Sequence, residues 1–181
     1  MSEAPHWRFS HFGLFVKDLD RMVLFYKQVF SLVETDGGKA RGHDIKFLSR
    51  DPLEHHQLVL ESSRKSDETT VQQISFRFSS LDGLREMKDR LNALPKNLFD
   101  EGITPYGVNH GIAWSLYCHD PEDNRIEMFV DSPFYVRQPL VSTLDLSMSD
   151  DEILQETSDK FGDDLSFKPW SDWSKELAER L

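Results

Sequence analysis

The 181-residue chain has a single cysteine, Cys118, so it cannot form an internal disulfide, which is typical of a reducing compartment. It contains no apolar stretch that approaches the roughly 18–20 residues of a membrane helix. Its first residues lack the basic region and apolar run of a secretory signal, so we expect a cytoplasmic protein with no membrane partner. Acidic residues outnumber basic ones by 32 to 21, which argues against nucleic-acid binding because phosphate contacts need clustered Lys and Arg.

The motifs of several common enzyme classes are also missing. The sequence has no Gly-rich phosphate loop, Gly-x-Ser-x-Gly elbow, His-Glu-x-x-His helix or Cys-x-x-Cys zinc pattern. A hydrophobic content of 38% with 29% charged residues indicates a globular rather than a disordered chain. Its length suits one domain or two small fused modules with a substantial core.

The most informative feature that is present is an internal repeat. His11 and Gln73 each begin an apolar stretch, and each lies eight positions before a Leu-Asp pair, Leu19-Asp20 or Leu81-Asp82, that opens a helical pattern. Each half also ends in a strand-like apolar segment. Two similar halves can bring equivalent strands together about a pseudo-twofold axis, so polar residues at matched strand positions would converge on one point.

Apolar periodicity predicts the order β-α-β-β-β in each half. The first helix has one apolar face and can be capped by Asp18 or Asp20, and the second stops before Pro95. In the first half we predict strands at 11–16, 32–35, 44–48 and 57–60, with a turn at Gly37-Gly38 after the second. In the second half we predict strands at 74–78, 104–108, 112–118 and 125–130, with a tight turn at 121–124.

The predicted organisation is a first module over residues 8–62, a second over 71–132, and a C-terminal extension over 133–181, with a polar linker at 62–70. In the extension, Ser149 begins a capping-box pattern, which predicts a helix from 150 to about 160. We expect Ser171 to cap a final helix that carries Trp173, Leu177 and Leu181 on one face, and we expect this tail to be structural.

Three polar residues are candidate metal ligands. Glu127 lies inside an apolar segment, and a buried carboxylate is costly unless it is paired or binds a metal, although an edge-strand glutamate can simply face water. His11 alone is typical of a surface residue, and Gln73 is a neutral and weaker donor through its amide oxygen. Their matched positions in the repeat make the three together more informative than any one of them.

Further side chains suit proton transfer. His55-His56 is either a surface patch or, if one ring points into a pocket, an acid–base group. His110 and Tyr117 are seven positions apart, so they can share a pocket only if His110 belongs to the loop before the strand. Tyr117 is equally typical of a core aromatic. Cys118 has no obvious activating base, so we predict no cysteine nucleophile.

The two ends of the repeat resemble a known family. Residues 10–26 resemble the opening strand and helix of the vicinal oxygen chelate superfamily, which includes glyoxalase I, bleomycin- and fosfomycin-resistance proteins and extradiol dioxygenases. Residues 117–127 resemble its closing aromatic–Asp-Pro-x-Gly-Asn-x-Ile-Glu signature, with Asp123 where glycine is usual. The resemblance covers residues 8–132. It implies an α+β fold in which paired βαβββ modules form a curved mixed sheet around a divalent metal, here with a C-terminal helical tail.

Within that superfamily the chain most resembles the type I extradiol dioxygenases, which hold ferrous iron with two histidines and one glutamate. The resemblance implies that His11 and Glu127 are metal ligands, with Gln73 where the family has its second histidine. It also implies that His56 is the acid–base histidine and that Tyr117 is the active-site tyrosine. His110 falls near a further active-site histidine of the family.

Three functions follow from this resemblance. The first is an extradiol-type dioxygenase that uses Fe(II), with Mn, Ni or Zn as alternatives, and that acts on a catechol-like aromatic diol and dioxygen. The second is a glyoxalase-like isomerase or lyase, whose base would fall at Gln57 or Val59, neither of them a carboxylate. The third is a metal-free protein that binds a flat organic molecule, with Trp114 and Phe47 on candidate inner strands. In each case we expect a homodimer.

Overall fold

The computed structural model describes residues 8–95 and 104–180, and its contacts divide the chain into two compact units between Thr69 and Thr70. Each unit contains one copy of the repeat, in the order strand, helix, strand, strand, strand. The predicted α+β class and the paired βαβββ modules are therefore confirmed. No helix within the two described ranges is long and apolar enough to cross a membrane.

The first unit consists of one helix on a four-stranded sheet. Helix α1 begins after Asp18, whose side chain accepts a hydrogen bond from the backbone N–H of Arg21, and it buries Met22, Phe25 and Tyr26 completely. The sheet order is β1-β4-β3-β2, in which only β1 and β4 are parallel. The elements are β1 (Phe12–Phe15), α1 (Leu19–Phe30), β2 (Val33–Ala40), β3 (His43–Ser49) and β4 (Leu58–Glu61).

The predicted turn at Gly37-Gly38 is wrong, because β2 continues through both glycines. Gly37 pairs with Lys46 across the ladder, where a Cβ atom would come within 2.8 Å of the Lys46 Cδ atom, so glycine here accommodates a close side chain. The chain turns instead at Arg41-Gly42, where both residues have positive φ, 51° and 86°.

The second unit repeats this arrangement. Its strands have the order β6-β7-β8-β5, with β5 and β8 parallel, as β1 and β4 are in the first sheet. The predicted turn at 121–124 is confirmed, and Asp123 takes the left-handed conformation expected of the usual glycine, with φ 65°. The elements are β5 (Ile74–Arg77), α2 (Leu81–Asn92), β6 (Tyr106–Asn109), β7 (Ala113–His119) and β8 (Arg125–Asp131), so the predicted strand at 104–108 begins two residues later.

The C-terminal extension belongs to the second unit. The capping box of Ser149 and Glu152 is confirmed, whereas the final helix begins after Pro169 without a side-chain cap, so the role predicted for Ser171 is wrong. Leu181 lies outside the described residues. Strand β10 extends the second sheet along β6. The elements are β9 (Phe134–Tyr135), β10 (Ser142–Thr143), α3 (Asp150–Phe161), β11 (Lys168–Pro169) and α4 (Trp170–Ala178).

Candidate functional site

A buried carboxylate stands at the centre of the second unit's sheet. Glu127 on β8 is only 8% exposed and accepts hydrogen bonds from four neutral donors. Its Oε1 accepts from the hydroxyls of Ser115 at 2.9 Å and Tyr117 at 2.6 Å. Its Oε2 accepts from the Ser75 hydroxyl at 2.6 Å and the Gln73 Nε2 at 2.9 Å. These bonds offset the desolvation of the carboxylate without a countercharge.

Strand geometry explains why these side chains meet. Ser75 and Tyr117 are the register partners of Glu127 on the two neighbouring strands, and side chains two residues apart share one face. Gln73, Ser75 and Ser115 therefore face the same carboxylate. Ser75 and Ser115 were not among the predicted site residues, although their spacing of two residues from Gln73 and from Tyr117 is a signal that the sequence contains.

Tyr117 connects this carboxylate to His110. His110 lies in the turn after β6, and its Nε2 is 3.0 Å from the Tyr117 hydroxyl oxygen. Its Nδ1 is 2.7 Å from the carbonyl oxygen of Leu140, which can only accept, so Nδ1 carries a hydrogen. Burial and the neighbouring Glu127 raise the pKa of the Tyr117 hydroxyl well above its ordinary value. Tyr117 therefore stays a donor at neutral pH, with Glu127 and His110 both within reach.

In the first unit, three histidines lie together. His11 immediately precedes β1, as Gln73 precedes β5, and its ring centroid is 4.3 Å from that of His56. The Nδ1 atoms of His55 and His56 are 2.9 Å apart, and the His56 ring also contacts Phe47. Burial lowers the pKa of His56, and the neighbouring His11 and His55 lower it further. His56 is therefore neutral near pH 7 and suited to accept a proton.

Hydrogen bonding also orients His11. Its Nδ1 is 3.2 Å from the Ser10 hydroxyl oxygen, and that hydroxyl donates to Glu54. Because the Ser10 hydrogen goes to Glu54, Ser10 accepts from His11, which places the hydrogen on Nδ1. No described residue forms a hydrogen bond with His11 Nε2, so its lone pair points to no protein partner within the described ranges. This is the ring state in which a histidine can bind a metal through Nε2.

Strand register settles which residue of the first unit corresponds to Glu127. Ser75 pairs with Glu127 in the second sheet, and the equivalent Gly13 pairs with Val59 in the first. Val59, rather than Gln57, therefore occupies the matching position, and the first unit has no carboxylate there.

Trp114 does not face the side chains around Glu127. Its indole N–H donates to the buried hydroxyl of Thr157 on α3, and alternation along β7 puts it on the face opposite to Ser115 and Tyr117. The expectation that Trp114 lines a site for a flat ligand is wrong. The half-buried Phe47 lies beside His56 in the first unit.

The described residues suit a divalent metal only if a neutral side chain, such as the Gln73 amide, is one of its ligands. Within residues 8–95 and 104–180, no group of three or more His, Cys, Asp or Glu side chains is placed to hold a metal ion. In the second unit the available pair is Gln73 and Glu127. Rotation of the Gln73 amide by half a turn would put its Oε1 where Nε2 now meets Glu127, and two oxygen atoms side by side suit a hard or borderline divalent cation.

Comparisons with known proteins agree with the fold. The model of the family described as Glyoxalase/Bleomycin resistance protein/Dioxygenase superfamily matches residues 8–128. No curated protein matches the chain.

Solved structures give the same picture at low sequence identity. A mutant of the fosfomycin resistance protein FosX from Listeria monocytogenes, complexed with Mn(II) and 1S,2S-dihydroxypropylphosphonic acid, is 21% identical, with a TM-score of 0.52 over 67% of this chain and 90% of that one. A glyoxylase/bleomycin resistance protein/dioxygenase domain from Frankia sp. EAN1pec is 18% identical, with a TM-score of 0.57 over 70% and 99%. Lactoylglutathione lyase from Agrobacterium tumefaciens is 21% identical, with a TM-score of 0.50 over 70% and 96%. These likenesses establish the fold.

Proposed function

Because the chain belongs to the Glyoxalase/Bleomycin resistance protein/Dioxygenase superfamily, we propose that it is a metal-dependent enzyme acting on a substrate with adjacent oxygen atoms. More specifically, we propose an extradiol-type dioxygenase that cleaves the ring of a catechol-like diol. The observation that most favours ring cleavage is that the candidate proton-transfer groups are histidines and a tyrosine, with no carboxylate at the matching position of the first unit. The position matching Glu127 in the first unit is Val59, whereas His56 lies against His11 and His110 lies against Tyr117.

We propose His11, Gln73 and Glu127 as the ligands of a divalent metal, with Fe(II) the ion for ring cleavage and Mn, Ni or Zn the alternatives. His11 and Gln73 precede equivalent strands of the two modules, and the solved FosX mutant is complexed with Mn(II). Bound iron supplies open positions for a chelating diol and dioxygen. Gln73 is neutral, as histidine is, so the ligand charge is the same as in a His/His/Glu site. Its amide oxygen is a poorer donor, so we expect weaker metal retention.

The remaining residues handle protons and oxygen atoms. His56, neutral near pH 7, takes the proton of the second substrate hydroxyl and later returns one. Tyr117 keeps its hydroxyl hydrogen and offers it to an oxygen atom in the site, and His110 keeps that hydroxyl oriented. Fixed donors in a site that excludes water stabilise developing negative charge most strongly.

The direct test is oxygen uptake by the iron-loaded protein, exposed under air to a panel of catechols. We expect dioxygen consumption and a yellow ring-opened product. His56→Ala should slow turnover by about 10²- to 10⁴-fold, the usual contribution of a positioned acid–base group. His43→Ala, which changes a histidine at the start of β3, is the matched control and should retain activity. Absence of oxygen uptake across the panel would contradict the proposal.

Two other functions each have one observation in their favour. Gln73 in place of a second histidine, with the lactoylglutathione lyase likeness, favours an isomerase or lyase that uses a redox-inert metal. Turnover with Ni or Zn in the absence of oxygen would establish that class. The four hydrogen bonds that already satisfy Glu127 favour a metal-free binding protein.

We also propose that the protein is a homodimer. Light scattering should then give twice the mass of one chain.

A further inference from the structure

Arg125 is a half-buried cation to which no role has been assigned. It lies beside Glu127 and the four side chains that donate hydrogen bonds to it, which together are called the Glu127 cluster. It lies two residues before Glu127 on β8 and therefore on the same face of the sheet. The central carbon of its guanidinium is 4.3 Å from the centre of the Tyr117 ring. Its Nε is buried and has no hydrogen-bond partner. Within the described ranges, no hydrogen bond or ion pair joins the side chain of Arg125 to another residue.

An arginine in this position without an acceptor is unusual. The guanidinium presents a rigid fork of N–H donors, and a buried donor left unpaired destabilises the protein. Two other arginines of this unit, Arg77 and Arg85, are paired. Arg77 lies over the Phe129 ring at 5.0 Å in a similar cation–ring contact, and it also forms an ion pair with Asp131. Arg85 pairs with Asp82 and donates to backbone carbonyls.

The fold itself does not require a cation here. The equivalent residue of the first unit is Gln57, whose amide oxygen accepts from the backbone N–H of Arg50 at 2.9 Å. A neutral side chain therefore fills that position with its acceptor satisfied. The unpaired charge of Arg125 is specific to the unit that carries Glu127.

We propose that Arg125 binds an oxyanion of the substrate, so that the ligand of this site carries a carboxylate group. A carboxylate matches the guanidinium fork with two parallel hydrogen bonds, which supplies the acceptors that Arg125 lacks. Since the Tyr117 ring contacts Arg125 while its hydroxyl bonds to Glu127, an anion on Arg125 lies one side chain away from the Glu127 cluster. The chain carries a net charge of −11, so the acidic surface does not attract anions in general, and a local cation must provide the selection.

The substrate is then a vicinal diol with a carboxylate on the same molecule. The diol part of this proposal rests on the proposed function, whereas the anion site does not depend on it. The experiment therefore uses ligands that separate the two groups: catechol has only the diol, benzoate has only the carboxylate, and the dihydroxybenzoates and dihydroxyphenylacetate have both.

Isothermal titration of each ligand into the full-length protein, as purified and after iron loading, gives the dissociation constants. We expect wild type to bind at least one carboxylated diol about 10- to 100-fold more tightly than catechol, as a charge-assisted contact provides. Arg125→Gln should bring that ratio close to one, and Arg125→Lys, which restores the charge without the fork, should recover part of it. Arg77→Gln is the matched control and should keep the wild-type ratio.

The outcomes separate the anion site from the proposed reaction. If wild type shows no preference for any carboxylated ligand, or if the preference survives Arg125→Gln, the anion site is refuted even when catechol is oxidised. If benzoate binds to wild type and not to Arg125→Gln while no diol is turned over, the anion site stands and the dioxygenase proposal fails.

Discussion

Thr157→Val should destabilise the second unit strongly, although the valine side chain has nearly the same size and shape as that of threonine. The Thr157 side chain is completely buried on α3, and its Oγ1 accepts from Asn109 Nδ2 at 2.8 Å and from Trp114 Nε1 at 2.9 Å. The same hydroxyl donates to the carbonyl of Ile153 at 2.7 Å. Valine leaves both buried donors without an acceptor. Each unpaired donor costs about 1–3 kcal/mol, so we expect the free energy of unfolding to fall by about 2–6 kcal/mol.

Urea unfolding followed by circular dichroism and tryptophan fluorescence measures this change. Thr35→Val is the matched control, because Thr35 is exposed and its hydroxyl makes one bond, to the carbonyl of Phe47 at 3.2 Å. We expect the control to lose less than about 1 kcal/mol. An equally small loss for Thr157→Val would refute the reasoning that these bonds hold the C-terminal extension on the sheet.

Three further predictions concern groups outside the candidate site. Burial raises the pKa of Cys118 to about 12, so iodoacetamide should label the native protein about a thousandfold more slowly than the unfolded protein at pH 8, and equal rates by mass spectrometry would contradict this. Burial raises the pKa of Glu61, but hydrogen bonds from Arg41 and Ser63 outweigh it and leave the pKa below its ordinary 4.5. Glu61 therefore stabilises the fold above that pH and loses this effect as pH falls through its folded pKa. In Glu61→Gln, the urea concentration at the unfolding midpoint should fall less steeply than in wild type as pH decreases from 6 to 3. An unchanged pH dependence would be inconsistent with a stabilising contact between Arg41 and Glu61. Ser149→Ala should lower stability by about 1 kcal/mol through loss of the capping box, and a neutral result in urea would show that the cap is dispensable.

The sequence predicted the modules because their signals are local. Apolar periodicity and the Asp18 and Ser149 caps act within a few residues, and the structure has them where they were expected. The prediction of a turn at Gly37-Gly38 was wrong because glycine permits a turn without requiring one. Gly37 lies opposite Lys46 on β3, a contact that exists only once β2 and β3 pair.

For the candidate site, the sequence identified Glu127 and Gln73, which the structure joins by a hydrogen bond. It left open whether Gln57 or Val59 corresponds to Glu127, because only the register between strands decides that. It also missed the unpaired state of Arg125, since an unsatisfied donor depends on every neighbour in space rather than on the residue itself.

Metal analysis of protein purified anaerobically tests the central claim, that His11, Gln73 and Glu127 hold a divalent ion. The matched variants are His11→Ala and Glu127→Ala, each of which removes one proposed ligand, and His43→Ala, which removes a histidine elsewhere in the first unit. We predict about one iron per chain in wild type and in His43→Ala, and loss of the iron in the other two. A wild-type protein without metal that takes up none from added ferrous iron would contradict the account.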